Sequence, residues 1–278
     1  MTGFRRHAIT GEPVLFAPER ADRPGAFAGS ADGARCPFCA GHEADTPPEI
    51  LAVGTPWRIR VVPNKYPPAS GAEVIIESPE HDATFDGIGH AADVVRVYAD
   101  RHRAHEDAAH VALFRNEGPR AGSSIPHLHS QLVPLPFLPP RIERELAGFE
   151  RATACPLCSD VADDLVIRET SAFTWLAPYA SSAPYQQWIV PRRHVATITA
   201  LTNDELDELA ALLRSAAAAT RGIADAFNWM FLTFPRASAA HCYIELFPRV
   251  TTIAGLELGT GTFVEIVDPV AAARRLRS

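Results

Sequence analysis

Two histidines and a glutamine alternate with other residues in the stretch His127-Leu128-His129-Ser130-Gln131, which follows a run of glycine and serine. Side chains two residues apart lie on the same face of an extended strand. The spacing therefore predicts that His127, His129 and Gln131 project together. Small residues just before them allow the backbone to approach a ligand closely. Such a polar trio is typical of a functional site; a surface or purely metal-binding histidine pair is the alternative.

Four of the five cysteines form two pairs, and each pair is followed by two histidines at parallel intervals. The intervals from the first cysteine of the pair are 45 and 91 residues in the first half of the chain and 39 and 86 in the second. Two cysteines with two histidines are a common tetrahedral ligand set for structural zinc. We therefore predict two closed zinc sites, Cys36 with Cys39, His81 and His127, and Cys155 with Cys158, His194 and His241. A redox role for the pairs would leave the histidines unexplained.

The composition limits the class of protein. A chain of 278 residues accommodates one large domain or two of ordinary size. The net charge of -7 argues against non-specific nucleic-acid binding through a basic face. No apolar run reaches the roughly 18 residues that a membrane helix needs, and the N-terminus has no apolar segment of a secretion signal. We therefore expect a cytoplasmic protein that binds neither nucleic acid nor membranes.

The two halves of the chain repeat one pattern of elements. Each half runs from its cysteine pair through short strands and a long helix to the strand region that carries its last histidine. The four prolines between Pro134 and Pro140, with the charged helix after them, mark a linker. We therefore predict an α+β fold made of a duplicated unit with antiparallel sheets and flanking helices, divided into residues 1–140 and 141–278.

Local signals place individual elements. Periodicity predicts helices over 91–106 and 204–227, and Thr202 with Glu205 fits a capping box for the second helix. The Gly-rich segment Gly255–Gly261 is predicted to be a loop, followed by a strand near Phe263–Val267. We expect the histidines outside the two ligand sets and the His129 motif to be solvated, including His102 and His110.

Taken together, these motifs resemble those of the galactose-1-phosphate uridylyltransferase and ADP-glucose phosphorylase family, the transferase branch of the histidine-triad superfamily. The resemblance runs almost end to end, and the stretch Pro126–Gln131 is its most specific part. In much of the family a second His-x-His marks the second half, whereas here His241-Cys242-Tyr243 keeps one histidine. This departure agrees with a metal role and no second catalytic centre. The resemblance implies a histidine-triad-like fold for each half.

The resemblance implies nucleotidyl transfer by double displacement, with His129 as the nucleophile that attacks the α-phosphorus of a nucleoside diphosphate sugar. Imidazole suits this role because one ring nitrogen attacks while the other, held by a backbone carbonyl, shares the developing charge. Zinc on His127 would fix the backbone that orients His129. Gln131 would donate a hydrogen bond to a phosphoryl oxygen. An amide does not transfer protons at neutral pH, so it would neither protonate a leaving group nor activate water for hydrolysis.

The substrates remain open at this stage. We expect transfer of UMP between a nucleoside diphosphate sugar and a sugar 1-phosphate, while adenylyl transfer to phosphate, as in an ADP-glucose phosphorylase, is the alternative within the family. An unusual phosphorylated acceptor in a biosynthetic pathway is also open. Two other classes are a nucleotide hydrolase of the histidine-triad type and a zinc-stabilised binding protein without turnover.

The resemblance assigns further binding roles. Ser123 and Ser124 would bind the β-phosphate, with Ser124 favoured, and the guanidinium groups of Arg20 and Arg23 would bind the diphosphate. Glu257 would bind sugar hydroxyls from the partner subunit of a homodimer. The residues expected to contact the nucleotide are Asn64 and Asn116. Surface charges are the alternative for the two arginines, and a solvated loop residue is the alternative for Glu257.

Overall fold

The computed structural model describes residues 3–22 and 35–278, and the predicted α+β class is confirmed. A small hairpin, β1 (Gly3–Arg6) and β2 (Pro13–Phe16), stands apart from one large sheet. The strands of the first half of that sheet are β3 (Leu51–Val53), β4 (Ile59–Pro63), β5 (Glu73–Ile76), β6 (His110–Glu117) and β7 (His129–Leu135). Those of the second half are β8 (Val166–Glu169), β9 (Phe173–Leu176), β10 (Gln187–Pro191), β11 (Phe227–Leu232) and β12 (Tyr243–Pro248).

The order of the strands repeats across the middle of the sheet. The order is β3-β4-β5-β7-β6-β11-β12-β10-β9-β8, with every neighbouring pair antiparallel. Read from either edge, each half places its first, second, third, fifth and fourth strand in turn. The two fourth strands, β6 and β11, pair at the centre, with Trp229 opposite Arg115. The division into domains at residue 140 stays a prediction.

In the described part of the chain, five α-helices accompany the sheet: α1 (Ala91–Arg103), α2 (Pro140–Arg151), α3 (Asn203–Arg221), α4 (Gly255–Thr260) and α5 (Pro269–Arg277). The long helices α1 and α3 contact each other, and their apolar residues join those of the sheet in the main core. Leu213, Phe227 and Trp229 are fully buried there. Burying an aliphatic or phenyl side chain of this size stabilises the fold by about 2–3 kcal/mol relative to exposure.

The start of α3 is as predicted, and its end is not. The Thr202 hydroxyl accepts a hydrogen bond from the Glu205 amide at 3.2 Å, and the Glu205 carboxylate accepts one from the Thr202 amide at 2.7 Å, which completes the capping box. The helix ends at Arg221 rather than near Phe227. Gly222 follows at once, and glycine costs about 1 kcal/mol relative to alanine inside a helix. Phe227 begins the central strand β11 instead.

Three expectations for loops and histidines were wrong. The segment Gly255–Thr260 forms the short helix α4, in which the Glu257 carboxylate accepts a hydrogen bond from the Ala254 amide at 3.0 Å. Residues Phe263–Val267 form no strand. His102 and His110 are buried rather than solvated, because both lie where α1 and β6 meet the rest of the fold.

Within the part of the chain that the structure describes, no helix combines the length and apolar character required to cross a bilayer.

Candidate active site and metal centres

The proposed nucleophile His129 begins strand β7, and His127 lies just before it. His129 is 7% exposed and its Nδ1 atom lies 2.6 Å from the carbonyl oxygen of His127. A carbonyl can only accept, so Nδ1 carries the proton and donates it. The other ring nitrogen, Nε2, therefore keeps its lone pair in the neutral imidazole. This is the arrangement that nucleophilic attack by Nε2 needs.

The neighbours of His129 hold its ring in place. Phe38, between the first two cysteines, meets the imidazole edge to face at a centroid distance of 5.3 Å. Gln131 follows on the same face of β7 and is 8% exposed. In the sheet, β7 runs between β5 and β6; His129 pairs with Ile76 of β5, and Gln131 pairs with residues of both neighbouring strands. The predicted common face of His129 and Gln131 is therefore formed by a strand at the interior of the sheet.

The loop before the histidines depends on glycine. Gly118 has φ +79°, and a Cβ at this position would lie 2.8 Å from the Cβ of Ala226 and 2.9 Å from the carbonyl oxygen of Asp225. Only glycine can adopt this positive φ and also avoid the collision of a Cβ with its neighbours without displacing the backbone. Gly122 ends a short 3-10 helix with φ +85°. The half-buried Ser123 and Ser124 follow, and the Ser123 hydroxyl donates to the carbonyl of Ile125 at 3.0 Å.

A cleft of about 240 Å³ opens beside this loop. His127, His129 and Ser123 line this cleft. Charged residues from β6 and α3 also line it, and among them Arg221 forms an ion pair with Glu117. The cleft therefore brings the predicted nucleophile, one predicted phosphate-binding serine and several charged side chains to one place.

Asn116 lines the same cleft and reveals a partner that the sequence analysis missed. The side-chain amide of Asn228, opposite it on β11, donates to Asn116 Oδ1 at 2.7 Å and to the Ala121 carbonyl at 3.0 Å. Asn228 thus orients Asn116 and supports the glycine-rich loop. The available signal was a polar residue within the otherwise apolar strand Phe227–Leu232.

The first predicted metal-ligand set is brought together as expected. Ligand atoms of Cys36, Cys39, His81 and His127 all lie within 4.8 Å of one another. The Sγ–Nδ1 distances are 3.6 Å for Cys36 and His127, 3.4 Å for Cys39 and His81, and 3.8 Å for Cys39 and His127. Tetrahedral zinc with its usual bond lengths separates a sulfur and a nitrogen ligand by about 3.6 Å. The spacing fits a tetrahedral metal ion.

The chemistry of the donors also fits. His127 Nε2 donates to the Ser78 carbonyl at 2.7 Å, which leaves the Nδ1 lone pair for the cluster. Burial and the adjacent Cys36 raise the pKa of the Cys39 thiol to about 11. A bound cation would favour the thiolate form of Cys39 at neutral pH.

The second set, Cys155, Cys158, His194 and His241, has the same geometry. The Sγ–Nδ1 distances lie between 3.3 and 3.6 Å. His194 Nε2 donates to the Ser238 carbonyl at 3.0 Å, and the pKa of Cys158 is raised by burial and by Cys155. Two residues beyond His241, where the first half has His129, the chain has Tyr243. The second cluster could therefore hold a metal ion, but no histidine occupies the position that corresponds to His129.

Among the described residues, the other predicted phosphate-, nucleotide- and sugar-binding residues and Gln131 are not part of the lining of this cleft. Arg20 donates to the Tyr66 carbonyl, and the Asn64 side chain accepts from the Tyr66 amide at 2.9 Å, so the two residues meet at one turn. Glu257 is half-buried on α4. Arg23 lies outside the described residues.

Comparisons with known proteins give close matches of both sequence and fold, although no family model matches the chain. The chain is 29% identical to ADP-glucose phosphorylase of Arabidopsis thaliana, over 99% of this chain and 92% of that protein. It is 26% identical to galactose-1-phosphate uridylyltransferase of Thermotoga maritima, over 100% of this chain and 98% of that protein.

The fold agrees with a solved structure of the first of these relatives. The crystal structure of Arabidopsis thaliana ADP-glucose phosphorylase with bound ADP-glucose matches with a TM-score of 0.82 and 28% identity, covering 100% of this chain and 98% of that chain. Both comparisons extend over nearly the whole sequence, as the motifs predict. The chain is therefore a relative, in sequence and in fold, of the ADP-glucose phosphorylases and galactose-1-phosphate uridylyltransferases.

Proposed function

We propose that this protein is a nucleotidyltransferase that moves a nucleoside monophosphate from a nucleoside diphosphate sugar to a phosphate acceptor through a covalent intermediate on His129. The observation that carries the proposal is the hydrogen bond from His129 Nδ1 to the His127 carbonyl at 2.6 Å. Because Nδ1 carries the proton, Nε2 keeps the lone pair with which it can attack, and His129 is held as the first residue of strand β7.

The chemistry proceeds in two displacements. In the first, Nε2 of His129 attacks the α-phosphorus, a phosphorus–nitrogen bond forms, and the bond from the α-phosphorus to the bridging oxygen breaks, releasing a sugar 1-phosphate. In the second, a phosphate oxygen of the acceptor attacks the same phosphorus and the bond to His129 breaks. The His127 carbonyl accepts the hydrogen bond from Nδ1 throughout and so stabilises the positive charge that develops on the ring.

Gln131 favours transfer over hydrolysis. It lies two residues after His129 on the same face of β7 and is buried. Its amide can donate a hydrogen bond to a phosphoryl oxygen, but it does not exchange protons at neutral pH as a histidine would. Water in the site therefore meets no general base from this residue, and the intermediate persists until an acceptor phosphate arrives.

The two Cys₂His₂ clusters are proposed zinc sites with structural roles. Each offers four protein ligands with sulfur–nitrogen distances that fit tetrahedral zinc. A zinc ion held by His127 would fix the peptide whose carbonyl orients His129. With four protein ligands, neither cluster keeps a position for water or substrate, so we assign both metals to structure and not to the chemical step.

The donor is proposed to carry uracil or adenine. A uridylyltransferase acting on UDP-glucose and a hexose 1-phosphate is the first reading, in line with the Thermotoga maritima relative. An adenylyl transfer from ADP-glucose to phosphate is the second, and it is favoured by the Arabidopsis thaliana relative, whose structure holds ADP-glucose. Acceptors of the two reactions share a phosphate group and differ in the sugar.

Further binding roles belong to the same proposal. Ser123, Ser124 and Arg20, with Arg23, are proposed to bind the phosphates, while Asn64 and Asn116 contact the nucleotide. Glu257 is proposed to bind the sugar in the site of a second copy of the chain. Large apolar side chains are exposed on both sides of Glu257, which supports a homodimer in which this segment is covered: Ile253, Leu256, Leu258, Phe263, Val264 and Ile266.

The proposal is tested by incubating the protein with UDP-glucose or ADP-glucose that carries a radiolabel on the α-phosphate, followed by denaturation in alkali. We expect label on the protein that survives alkali and is released in acid, as phosphorus–nitrogen bonds to histidine are. Label from one donor alone identifies the base. Free mononucleotide without labelled protein would favour a hydrolase, and neither label nor product from any nucleotide donor would favour a binding protein.

A further inference from the structure

A buried polar cluster lies directly behind the strand that carries His129, on the face of the sheet that packs against α1. We define it as the Tyr98 cluster, formed by Glu77, Tyr98, Arg115 and Ser130. All four side chains are at most 1% exposed. None of these four residues takes part in the proposed reaction. Replacing a buried ion pair by apolar side chains of similar volume often leaves stability unchanged or increases it, so stability alone does not explain this cluster.

The Tyr98 hydroxyl is the centre of the cluster. It donates to Oε1 of Glu77 and lies 2.8 Å from the Ser130 hydroxyl, for which it serves as acceptor. Arg115 pairs with the other oxygen of the Glu77 carboxylate and lies 3.4 Å from the Tyr98 hydroxyl. The guanidinium of Arg115 also stacks over the ring of Trp229 at 4.3 Å. These contacts fix the four side chains relative to one another.

The cluster connects strand β7, which carries His129, with its two neighbours in the sheet, β5 and β6. Ser130 immediately follows His129 in β7, Arg115 belongs to β6, and Glu77 directly follows β5. The Glu77 amide donates to the Leu128 carbonyl at 3.1 Å, between His127 and His129. The next residue, Ser78, accepts the hydrogen bond from His127 at 2.7 Å. A shift in the cluster would therefore move the backbone on both sides of His129.

At the position that corresponds to Ser130, the second half of the chain carries an aliphatic residue. Three residues beyond His127 lies Ser130, and three residues beyond His241 lies Ile244. Ile244 is 3% exposed and packs in the apolar core under α3. The half that lacks a nucleophilic histidine thus has an aliphatic side chain where the first half has Ser130. The Tyr98 cluster lies in the half that carries His129.

From this placement we propose that Tyr98 is a positioning residue for His129, acting through Ser130 and Glu77 to hold the segment His127–Gln131 in the geometry for attack. The inference rests on the proposed function of His129 and deepens it. Tyr98 touches no substrate in this account. Its hydroxyl sets where the His129 imidazole lies, and a misplacement of the order of 1 Å costs up to about 100-fold in rate.

The test compares Tyr98→Phe with Tyr243→Phe, a matched control. The Tyr243 hydroxyl is likewise buried in a charged cluster, where it accepts from Arg141 at 3.2 Å and donates to Glu145 at 3.2 Å, but it lies in the second half. Both variants lose one buried hydroxyl. The measured quantities are metal content, melting temperature and the rate of transfer of labelled nucleotide onto the protein at saturating donor.

We expect both variants to retain two metal ions and to melt at similarly lowered temperatures. Tyr98→Phe is expected to label about 10- to 100-fold more slowly, with the donor concentration for half-maximal rate within about twofold of wild type, while Tyr243→Phe labels at the wild-type rate. Ser130→Ala should slow labelling in the same way, and the double variant Tyr98→Phe/Ser130→Ala should be no slower than Tyr98→Phe alone, because both break one link.

Wild-type labelling of Tyr98→Phe, or equal slowing in Tyr243→Phe, would overturn the positioning role while leaving the nucleotidyl-enzyme intact. Additive effects of Tyr98→Phe and Ser130→Ala would overturn it as well, because the two groups would then act independently. If the wild-type protein takes no label from any donor, the proposed function itself fails and the positioning role fails with it. Labelling of the wild-type protein therefore distinguishes failure of the positioning role from failure of the proposed function.

Discussion

The carbonyl oxygen of His127 accepts a hydrogen bond from His129 at 2.6 Å, while the imidazole of the same His127 belongs to the first Cys₂His₂ cluster. One residue therefore links a candidate metal site to the proposed nucleophile. Its side chain is fixed from both sides, because Nε2 donates to Ser78 and Nδ1 faces the thiols. A single peptide unit connects the candidate metal site to the hydrogen bond that orients His129.

His129→Asn should remove the covalent intermediate while leaving the fold intact. Asparagine is smaller and offers no imidazole nitrogen, so labelling by an α-labelled donor should fall below detection, a loss of at least about 1000-fold. The melting temperature should change by only a few degrees. His7→Asn, at an exposed histidine of the N-terminal hairpin, is the control and should label normally. Undiminished labelling of His129→Asn would assign the nucleophile to another residue.

The two metal centres should be separable by single substitutions. Cys36→Ser and Cys155→Ser should each reduce the metal content, measured by mass spectrometry, from two ions to one per chain. Only Cys36→Ser should abolish labelling, because its cluster contains His127. Cys155→Ser should lower the melting temperature, since a structural metal contributes several kcal/mol of folding energy, yet keep most of the labelling rate at 20 °C. Equal loss of labelling in both variants would contradict a local link between the first centre and His129.

Gln131→His should convert part of the transfer into hydrolysis. A histidine at this position would add a group that titrates near neutral pH beside the intermediate and could activate water. The expected result is a higher ratio of free mononucleotide to transferred nucleotide when acceptor is limiting. Gln131→Leu, which removes the amide without adding a base, should slow both reactions alike. An unchanged product ratio in Gln131→His would show that the glutamine does not decide between them.

Gly118→Ala should destabilise the loop before the histidines more than Gly122→Ala does. Both positions have positive φ, but only at Gly118 would the new Cβ also collide, at 2.8 Å from Ala226 and 2.9 Å from the Asp225 carbonyl. We expect a loss of about 1 kcal/mol at Gly122 and of about 2–4 kcal/mol at Gly118, measured by urea unfolding. Equal losses would indicate that the loop relaxes around Ala226.

Two buried histidines make the fold sensitive to mild acid. Burial lowers the pKa of His102 to about 4, with contributions from His110 and His105, and burial alone lowers the pKa of His110 to about 4. The unfolded chain takes up protons near pH 6.5 and the folded chain near pH 4. The stabilising contribution is therefore complete above about pH 6.5 and is lost as the pH falls toward about 4, at most about 3 kcal/mol per histidine.

The measurement is the free energy of unfolding between pH 7.5 and pH 4.5 at constant metal content. His102→Gln and His110→Leu should each flatten its pH dependence in this window relative to wild type. The metal ligands also titrate as the pH falls, but they are the same in all three proteins, so the difference isolates the two buried histidines. Parallel curves for wild type and both variants would contradict the assignment.

The metal clusters show what spacing alone can predict. Their eight ligands were identified because two cysteines three residues apart, followed by two histidines, occur twice at similar intervals, and the structure brings each set together. The alternation of His129 and Gln131 likewise predicted their common face, which strand β7 presents. Local chemistry at fixed intervals is visible in a sequence because few other arrangements use those residue types together.

Other features depend on contacts between distant parts of the chain. His102 and His110 lie beside charged residues in sequence, and their burial arises only when α1 and β6 pack; His102 Nε2 then lies 3.1 Å from the Thr233 hydroxyl. The pairing of β6 with β11, which joins the halves into one sheet, and the contact between Asn116 and Asn228 have the same origin. The segment of α4 was predicted to be a loop because its glycines are typical of loops.

The most direct test of the central claim locates the transferred nucleotide. The protein is incubated with UDP-glucose and with ADP-glucose, quenched and digested at alkaline pH, and the peptides are analysed by mass spectrometry with fragmentation that preserves the phosphorus–nitrogen bond. We expect a single added UMP or AMP on the peptide containing residues 121–131, with fragments that place it on His129. A modification on any other residue, or an unmodified peptide while the protein releases nucleotide products, would contradict the account.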